Sequence, residues 1–182
     1  MKYKLPLKIN NGHGEVVTFT KEDSEPDGGK LFFETIWQPN SGPVEHIHLK
    51  QDEYFEVVKG QMSYQLGDKS SGNLTAGQNV LLPMGVSHKP RNNGTEELVI
   101  RGWVQPANNF VFFLSTLFES MKNQNKPQPS PFDGAFLVML YASEYKLTEI
   151  PFFVRKVIIP LTYLVGKLTG KYKKYENAPK PI

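Results

Sequence analysis

Residues 46–60, HIHLKQDEYFEVVKG, decide the fold of this chain. His46 and His48 lie two residues apart, so on a β-strand both side chains point to the same face. Glu53 follows a short polar break and opens a second run, rich in aromatic and β-branched residues, that ends at Gly60. The stretch predicts two successive strands that bring two imidazoles and a carboxylate together.

Residues 77–92, GQNVLLPMGVSHKPRN, form a second informative segment. A buried strand at Leu81-Leu82 is stopped by Pro83-Met84-Gly85, because proline fixes φ and glycine permits positive φ. The exit of this turn places His88, and a closed antiparallel barrel can return it beside the three groups of the first segment. Three imidazoles and one carboxylate bind a divalent first-row metal and leave coordination positions open. The two segments therefore predict a metal site.

Both segments fit motifs of the cupin superfamily, H-x-H-x4-E-x6-G and G-x5-P-x-G-x2-H-x3-N, and the chain resembles this family over roughly residues 30–105. The second motif is filled by Gly77, Pro83, Gly85, His88 and Asn92. The family usually has a glycine at the position of Asn40, and asparagine tolerates left-handed turns better than most residues. The resemblance implies a mainly β protein, a cupin double-stranded β-helix or jelly-roll barrel, here with a C-terminal α-helical extension.

The same resemblance implies one divalent transition metal (Fe, Mn, Cu, Ni, Co or Zn) and a small-molecule substrate. The expected metal ligands are His46, His48, Glu53 and His88. The first functional hypothesis is a metal-dependent dioxygenase of the quercetinase type, in which Glu53 is also the candidate catalytic residue and accepts a proton. The alternatives are a non-catalytic small-molecule-binding or sensing cupin and a metal-dependent isomerase.

Length, composition and charge restrict the classes of protein to which this chain can belong. A length of 182 residues fits one barrel with a modest appendage. The absence of cysteine excludes disulfides, thiolate ligands and a cysteine nucleophile. Residues 1–10 lack the apolar core of a signal peptide, so a cytoplasmic location is expected. The small net charge of +3, without a basic stripe in the barrel, argues against nucleic acid as a partner.

The apolar pattern changes from alternation to a helical period near Phe110, so we predict a barrel over 1–106, a helical extension over 107–170 and a flexible tail over 171–182. The first helix begins at Phe110, capped by Asn108 or Asn109. The second opens at Ser130-Pro131 and runs to about Tyr145, and the third begins near Thr148 with a kink at Pro160.

The third predicted helix carries a long apolar stripe: Ile150, Phe153, Val154, Val157, Ile158, Leu161, Leu164, Val165 and Leu168. We expect this stripe to pack on the barrel or on a partner chain. The alternative is contact with a membrane surface, because Arg155, Lys156, Lys167 and Lys171 suit anionic lipid. The resemblance also implies a homodimer, since single-barrel cupins generally pair through their edge strands.

Alternation predicts strands near 15–20, 31–38, 44–49, 53–59, 61–66, 79–83, 86–91 and 97–104. If Glu53 faces inward, Phe55 and Val57 line the same face. Candidate pocket residues are Trp37, Tyr64 and Trp103 as an aromatic wall and Arg101 as a group that orients an anionic substrate, although ordinary packing or surface roles explain such residues more often. Glu34 and Glu45 are the nearby acids.

Overall fold

The computed structural model describes residues 3–23, 29–68 and 70–182. Its strands are β1 (Leu7–Asn10), β2 (Glu15–Asp23), β3 (Lys30–Trp37), β4 (His46–His48), β5 (Asp52–Lys59), β6 (Gln61–Leu66), β7 (Ser70–Thr75), β8 (Asn79–Leu82), β9 (His88–Arg91), β10 (Leu98–Gln105) and β11 (Tyr145–Leu147). Its α-helices are α1 (Phe110–Gln124), α2 (Pro131–Leu140) and α3 (Ile159–Leu168).

The strands form two antiparallel sheets, as the jelly-roll prediction requires. A six-stranded sheet has the order β1-β2-β3-β10-β5-β8, and a five-stranded sheet has the order β11-β4-β9-β6-β7. Strands distant in sequence are therefore neighbours, which brings β4 beside β9 with His46 opposite His88. This is the double-stranded β-helix arrangement, and it is mainly β with helices after the barrel.

The core lies between the two sheets and is lined by every second residue of the strands. Along β5, Glu53, Phe55 and Val57 are buried, so the predicted inward face is confirmed. Phe55 makes edge-to-face contacts with Phe33 at 5.8 Å and Trp37 at 5.9 Å between ring centroids. Such aromatic pairs stabilise a core beyond the apolar area they bury.

All eight strands predicted by alternation are present, and three further strands are not in that prediction. β1 extends one sheet edge, and β7 is a polar hairpin partner of β6. β11 comes from the region predicted to be helical: α2 ends at Leu140 instead of continuing to about Tyr145. Tyr145 pairs with His48 and packs its ring on Phe113 at 4.2 Å, so burial of this aromatic side chain outweighs helix continuation.

The predicted third helix is a helical segment over residues 152–168, in which a π-helical stretch, Val154–Ile158, leads into α3. Pro160 lies at the start of α3 and cannot donate a backbone hydrogen bond to the preceding turn. A wider π turn before it accommodates that lost bond. The predicted irregularity at Pro160 thus takes the form of a change in helix type.

The tail, expected to be flexible from Lys171, contacts the body of the protein. Tyr175 stacks on Phe136 at 4.3 Å. The hydroxyl of Tyr141 donates to the carbonyl of Pro179 at 2.8 Å, and the backbone N–H of Ile182 donates to the buried Glu144 at 3.0 Å. Aromatic side chains thus attach the tail to the body of the protein. The polar composition of the tail does not indicate these contacts. Within the described residues, no helix is both long and apolar enough to cross a bilayer.

Candidate metal centre

Four side chains converge between the two sheets. His46 and His48 project from β4 and His88 from β9 of the five-stranded sheet, while Glu53 projects from β5 of the facing sheet. One ligand atom from each of the four lies within 4.8 Å of all the others. The Nε2 atoms of His46 and His48 are 3.0 Å apart, those of His46 and His88 are 3.2 Å apart, and His88 Nε2 is 3.6 Å from Glu53 Oε2.

Backbone contacts fix which ring nitrogen carries the proton in two of these histidines. The Nδ1 atom of His46 lies 2.8 Å from the carbonyl of Val44, and that of His88 lies 3.1 Å from the carbonyl of Val86. A carbonyl only accepts, so each Nδ1 is the donor and each Nε2 keeps its lone pair. Two lone pairs thus face one another across 3.2 Å. That arrangement is repulsive by itself and becomes favourable around a cation, so the residues fit a metal ion.

Burial sets the charge of the site before any cation binds. Desolvation lowers the pKa of His48 well below its usual value, and it lowers the pKa of His88 to about 3. The pKa of His46 is lowered by the same cause, although the Val44 carbonyl and the Glu45 charge act against it. Burial raises the pKa of Glu53 to about 8. The imidazoles are therefore neutral and ready to coordinate, and a cation would compete with a proton only at Glu53.

The motif residues around the ligands hold the two segments together. Gly85 has φ of 78° and its N–H donates to the carbonyl of His48 at 2.8 Å, which ties the turn of the second segment to the strand of the first. Asp52 accepts from the N–H of Met84 at 2.7 Å. These bonds position His88, and they explain why a turn that needs positive φ precedes this ligand.

Two asparagines complete this frame. Buried Asn92 donates from Nδ2 to the carbonyls of Trp37 and Glu96, both at 2.8 Å, and accepts from the N–H of Gly94 at 2.9 Å. Asn40 has φ of 64°, so it adopts the left-handed conformation expected where the family usually has glycine. Its N–H donates to the carbonyl of Asn92 at 2.8 Å. Asparagine in place of glycine at position 40 therefore keeps the shape of the loop.

Two aromatic residues that sequence reasoning missed cover His48. The rings of Tyr145 and Phe110 lie 5.4 Å and 5.7 Å from its imidazole. Both residues follow the barrel in sequence, and Tyr145 reaches the site through the pairing of β11 with β4. The helical period that begins near Phe110 predicted the first helix but not its contact with His48. Strand β11 has only three residues, too few for an alternating pattern to reveal it. His46 alone among the four candidate ligands is partly exposed, so the site is open on its side.

The other candidate pocket residues lie elsewhere. Arg101 is 64% exposed and pairs with Glu56 at 2.6 Å on the outer face of the six-stranded sheet. Trp103 stacks on Tyr54 at 5.6 Å on that same outer face, where Glu34 is also exposed. The suggestion that Arg101 orients an anionic substrate group is therefore wrong. Of the remaining residues, Trp37 is core, Tyr64 packs across Gly72, and Glu45 is half-buried beside His46.

Comparison with known proteins gives one family match and two curated relatives. Residues 33–104 match a family model described as a cupin domain. Oxidoreductase iacF from Pestalotiopsis fici is 30% identical over 152 residues, which are 70% of this chain and 74% of that protein. Probable oxidoreductase virH from Hypocrea virens is 34% identical over 109 residues, which are 53% of this chain and 47% of that protein. The chain thus spans about half the length of this second relative.

Solved structures resemble the chain more weakly. KdgF from a Halomonas species has a TM-score of 0.45 and 18% identity, covering 54% of this chain and 85% of that chain. A Klebsiella pneumoniae protein described as having a double-stranded β-helix domain has a TM-score of 0.44 and 18% identity, covering 59% of this chain and 84% of that chain.

Proposed function

The chain belongs to the cupin superfamily, and we propose that it is a metal-dependent oxidoreductase of the dioxygenase type that acts on a small organic molecule. The observation that carries this proposal is the pair of Nε2 lone pairs on His46 and His88, which face one another 3.2 Å apart beside the Glu53 carboxylate. The oxidoreductase class is supported by the names of the two curated relatives.

A divalent first-row metal held by His46, His48, Glu53 and His88 would polarise a substrate oxygen and, if it were iron, manganese or copper, supply redox chemistry with dioxygen. The protein contributes the rest. The carbonyls of Val44 and Val86 hold two imidazoles in one tautomer, and the rings of Phe110 and Tyr145 keep water from His48. A substrate would approach from the partly exposed side of His46.

Glu53 has the further role of a base. Its carboxyl group is buried, and Oε2 lies 3.6 Å from Nε2 of His88, within the group of side chains that would hold the metal. We propose that Glu53 accepts the proton that a substrate hydroxyl loses on binding. Among the described residues that line the site, Glu53 is the buried carboxylate, whereas Glu45 is half-buried and Glu34 is on the outer surface.

Metal content is the first test. Protein purified without chelators should contain about one equivalent of a first-row metal by elemental mass spectrometry, because the four ligand candidates form one site. His48→Ala should lose this metal, whereas the matched control His13→Ala should keep it. Absence of metal from the unaltered protein, even after reconstitution with each candidate ion, or equal retention in His48→Ala, would contradict the proposal.

Oxygen uptake is the second test. The metal-loaded protein should consume dioxygen with a small organic compound that has adjacent oxygen atoms able to chelate a metal. Glu53→Gln should lower turnover more than it lowers metal content if the carboxylate also accepts a proton. A metal-loaded protein that binds such compounds without consuming dioxygen would favour the non-catalytic binding cupin, and conversion without dioxygen would favour the isomerase.

A further inference from the structure

The helical segment 152–168 presents large apolar side chains to solvent. Phe153 is 62% exposed, Leu161 is 56% exposed and Leu168 is 78% exposed. We call the whole set the apolar stripe: Phe152, Phe153, Val157, Ile158, Leu161, Leu164, Val165 and Leu168. Scattered exposed apolar residues are ordinary on a protein surface, but a contiguous row along one segment marks an interaction site.

The opposite side of the segment is already packed, so the apolar stripe cannot turn inward. Gly166 is the buried residue of α3, and a Cβ atom built on it would lie 2.5 Å from the ring of Tyr172. Tyr163 stacks on the same Tyr172 ring at 5.2 Å, and that ring in turn contacts Phe136 of α2 at 5.2 Å. The close approach at Gly166 fixes the rotation of the helix and leaves the apolar stripe outward.

The charged side chains of the helical segment and of the residues that follow it are of one sign. Residues 150–175 contain no Asp or Glu and six basic residues: Arg155, Lys156, Lys167, Lys171, Lys173 and Lys174. Lys174 pairs with Asp133 at 2.8 Å, but Lys156 and Lys167 are exposed and each directly precedes a stripe residue. Apolar side chains flanked by cations complement a surface that is apolar below and anionic above.

We propose that the helical segment 152–168 docks the protein on an anionic lipid surface, with the apolar stripe inserted among the acyl chains and the flanking cations at the headgroups. The segment would lie in the plane of the membrane, since no helix of the described residues can cross it. A second copy of the chain fits this face less well, because a symmetric pair would bring the same cations together with no carboxylate in 150–175 to offset them. The inference is independent of the metal site.

The test is sedimentation of the full-length, metal-loaded protein with lipid vesicles at low ionic strength. Vesicles that contain about one third phosphatidylserine should carry the protein down, pure phosphatidylcholine should do so weakly, and high salt should release it. The double variant Lys156→Gln/Lys167→Gln should weaken binding about thirtyfold, because each basic residue near an anionic surface contributes about a factor of five. The control Lys59→Gln/Lys126→Gln changes net charge equally at exposed positions elsewhere and should leave binding near its original value.

The apolar part of the surface is tested by a second matched pair. Leu161→Ser should weaken vesicle binding by about tenfold, the value expected for removing one inserted leucine. Leu81→Ser alters a leucine that is 47% exposed on β8 and should leave binding unchanged. Circular dichroism and metal content should be the same for all variants, because none of these residues contacts the metal centre.

Three results would overturn the proposal. One is no sedimentation with phosphatidylserine vesicles at low salt. Another is equal loss of binding in the stripe variants and in their controls, which would show nonspecific charge attraction. The third is a dimer in sedimentation velocity that Leu161→Ser dissociates and Leu81→Ser does not, which would assign the apolar stripe to a second copy of the chain.

Discussion

The barrel interior and the helical segment 152–168 both carry regular apolar patterns, but only the first is covered. In β5, alternate residues face the other sheet and are buried, whereas in the helical segment the apolar stripe faces solvent. Periodicity therefore indicates which side of an element is apolar, but it does not indicate what will cover that side. Replacing comparable side chains in the two regions measures this difference directly.

The largest expected effect comes from one aromatic residue in each region. Phe55→Ala should lower the free energy of unfolding by about 3–5 kcal/mol, because Phe55 is 3% exposed and contacts Phe33 and Trp37. Phe153→Ala should change it by less than about 0.5 kcal/mol, since that ring is already in solvent. Urea denaturation of both variants provides the measurement. A comparable loss for Phe153→Ala would mean that the apolar stripe is covered within the folded protein.

The second comparison is between a carboxyl group packed against the barrel, that of Glu15, and an exposed one in the tail, that of Glu176. Burial raises the pKa of Glu15 to about 7, although the Asn11 hydrogen bond and the Arg91 charge act in the opposite direction. The folded protein therefore holds this proton more tightly than the unfolded chain does. The contribution of protonated Glu15 to the free energy of unfolding is fully present below about pH 4.5 and is lost as the pH rises through about 7. Above pH 7 the ionised, buried Glu15 lowers the free energy of unfolding by up to about 3 kcal/mol relative to low pH.

Glu15→Gln should remove this pH dependence and raise the free energy of unfolding at pH 8 relative to the unaltered protein, while making little difference at pH 4. Glu176→Gln, at an exposed position in the tail, should change stability by less than about 0.5 kcal/mol at either pH. Urea denaturation across this range gives both values. A parallel pH profile for the unaltered protein and Glu15→Gln would show that Glu15 ionises equally easily in both states.

A smaller effect is expected at Asn92, which holds the frame of the site without being a ligand candidate. Asn92→Ala should lower the free energy of unfolding by about 1–3 kcal/mol, since it leaves the carbonyls of Trp37 and Glu96 without their partner. Asn123→Ala, at an exposed position on α1, is the matched control and should be nearly neutral. Thermal denaturation distinguishes them, and equal melting temperatures would mean that the three bonds of Asn92 are replaced by water.

The smallest effect is expected at Tyr145, in the strand that pairs the helical third of the chain with the barrel. The hydroxyl of Tyr145 is buried without a well-aligned hydrogen-bond partner among the described residues, so Tyr145→Phe should change stability by less than about 1 kcal/mol and retain metal. Tyr145→Ala removes the ring that covers His48 and should weaken metal retention against a chelator. Equal retention in both variants would show that the ring has no part in holding the site.

Motif spacing predicted the fold and nominated the four side chains that converge between the sheets, because the period of a strand and the demands of a Pro-Met-Gly turn are local properties. Eight strands followed from alternation alone. The polar strand β7 did not, since its sequence SSGNLT has no alternation and its conformation depends on pairing with β6. The outward position of Arg101 depends on strand register, which places it opposite Glu56.

The helical third of the chain was less predictable because its ends, too, depend on contacts with distant segments. Its first helix begins where the change to a helical period predicted, at Phe110. The end of α2 at Leu140 and the pairing of Tyr145 with His48 are set by contacts between segments about a hundred residues apart. Intrinsic helix preference cannot report such contacts, so a tertiary pairing replaced the last part of the predicted helix.

The pairing of β11 with β4 has a consequence for the order of events during synthesis. Until residue 145 has left the ribosome, β4 has an unpaired outer edge and His48 lacks one of the two rings that cover it. A nascent chain that has completed every strand up to β10 therefore still has an open sheet edge beside His48. The five-stranded sheet is therefore completed only in the last fifth of translation, when residues 145–147 pair with β4.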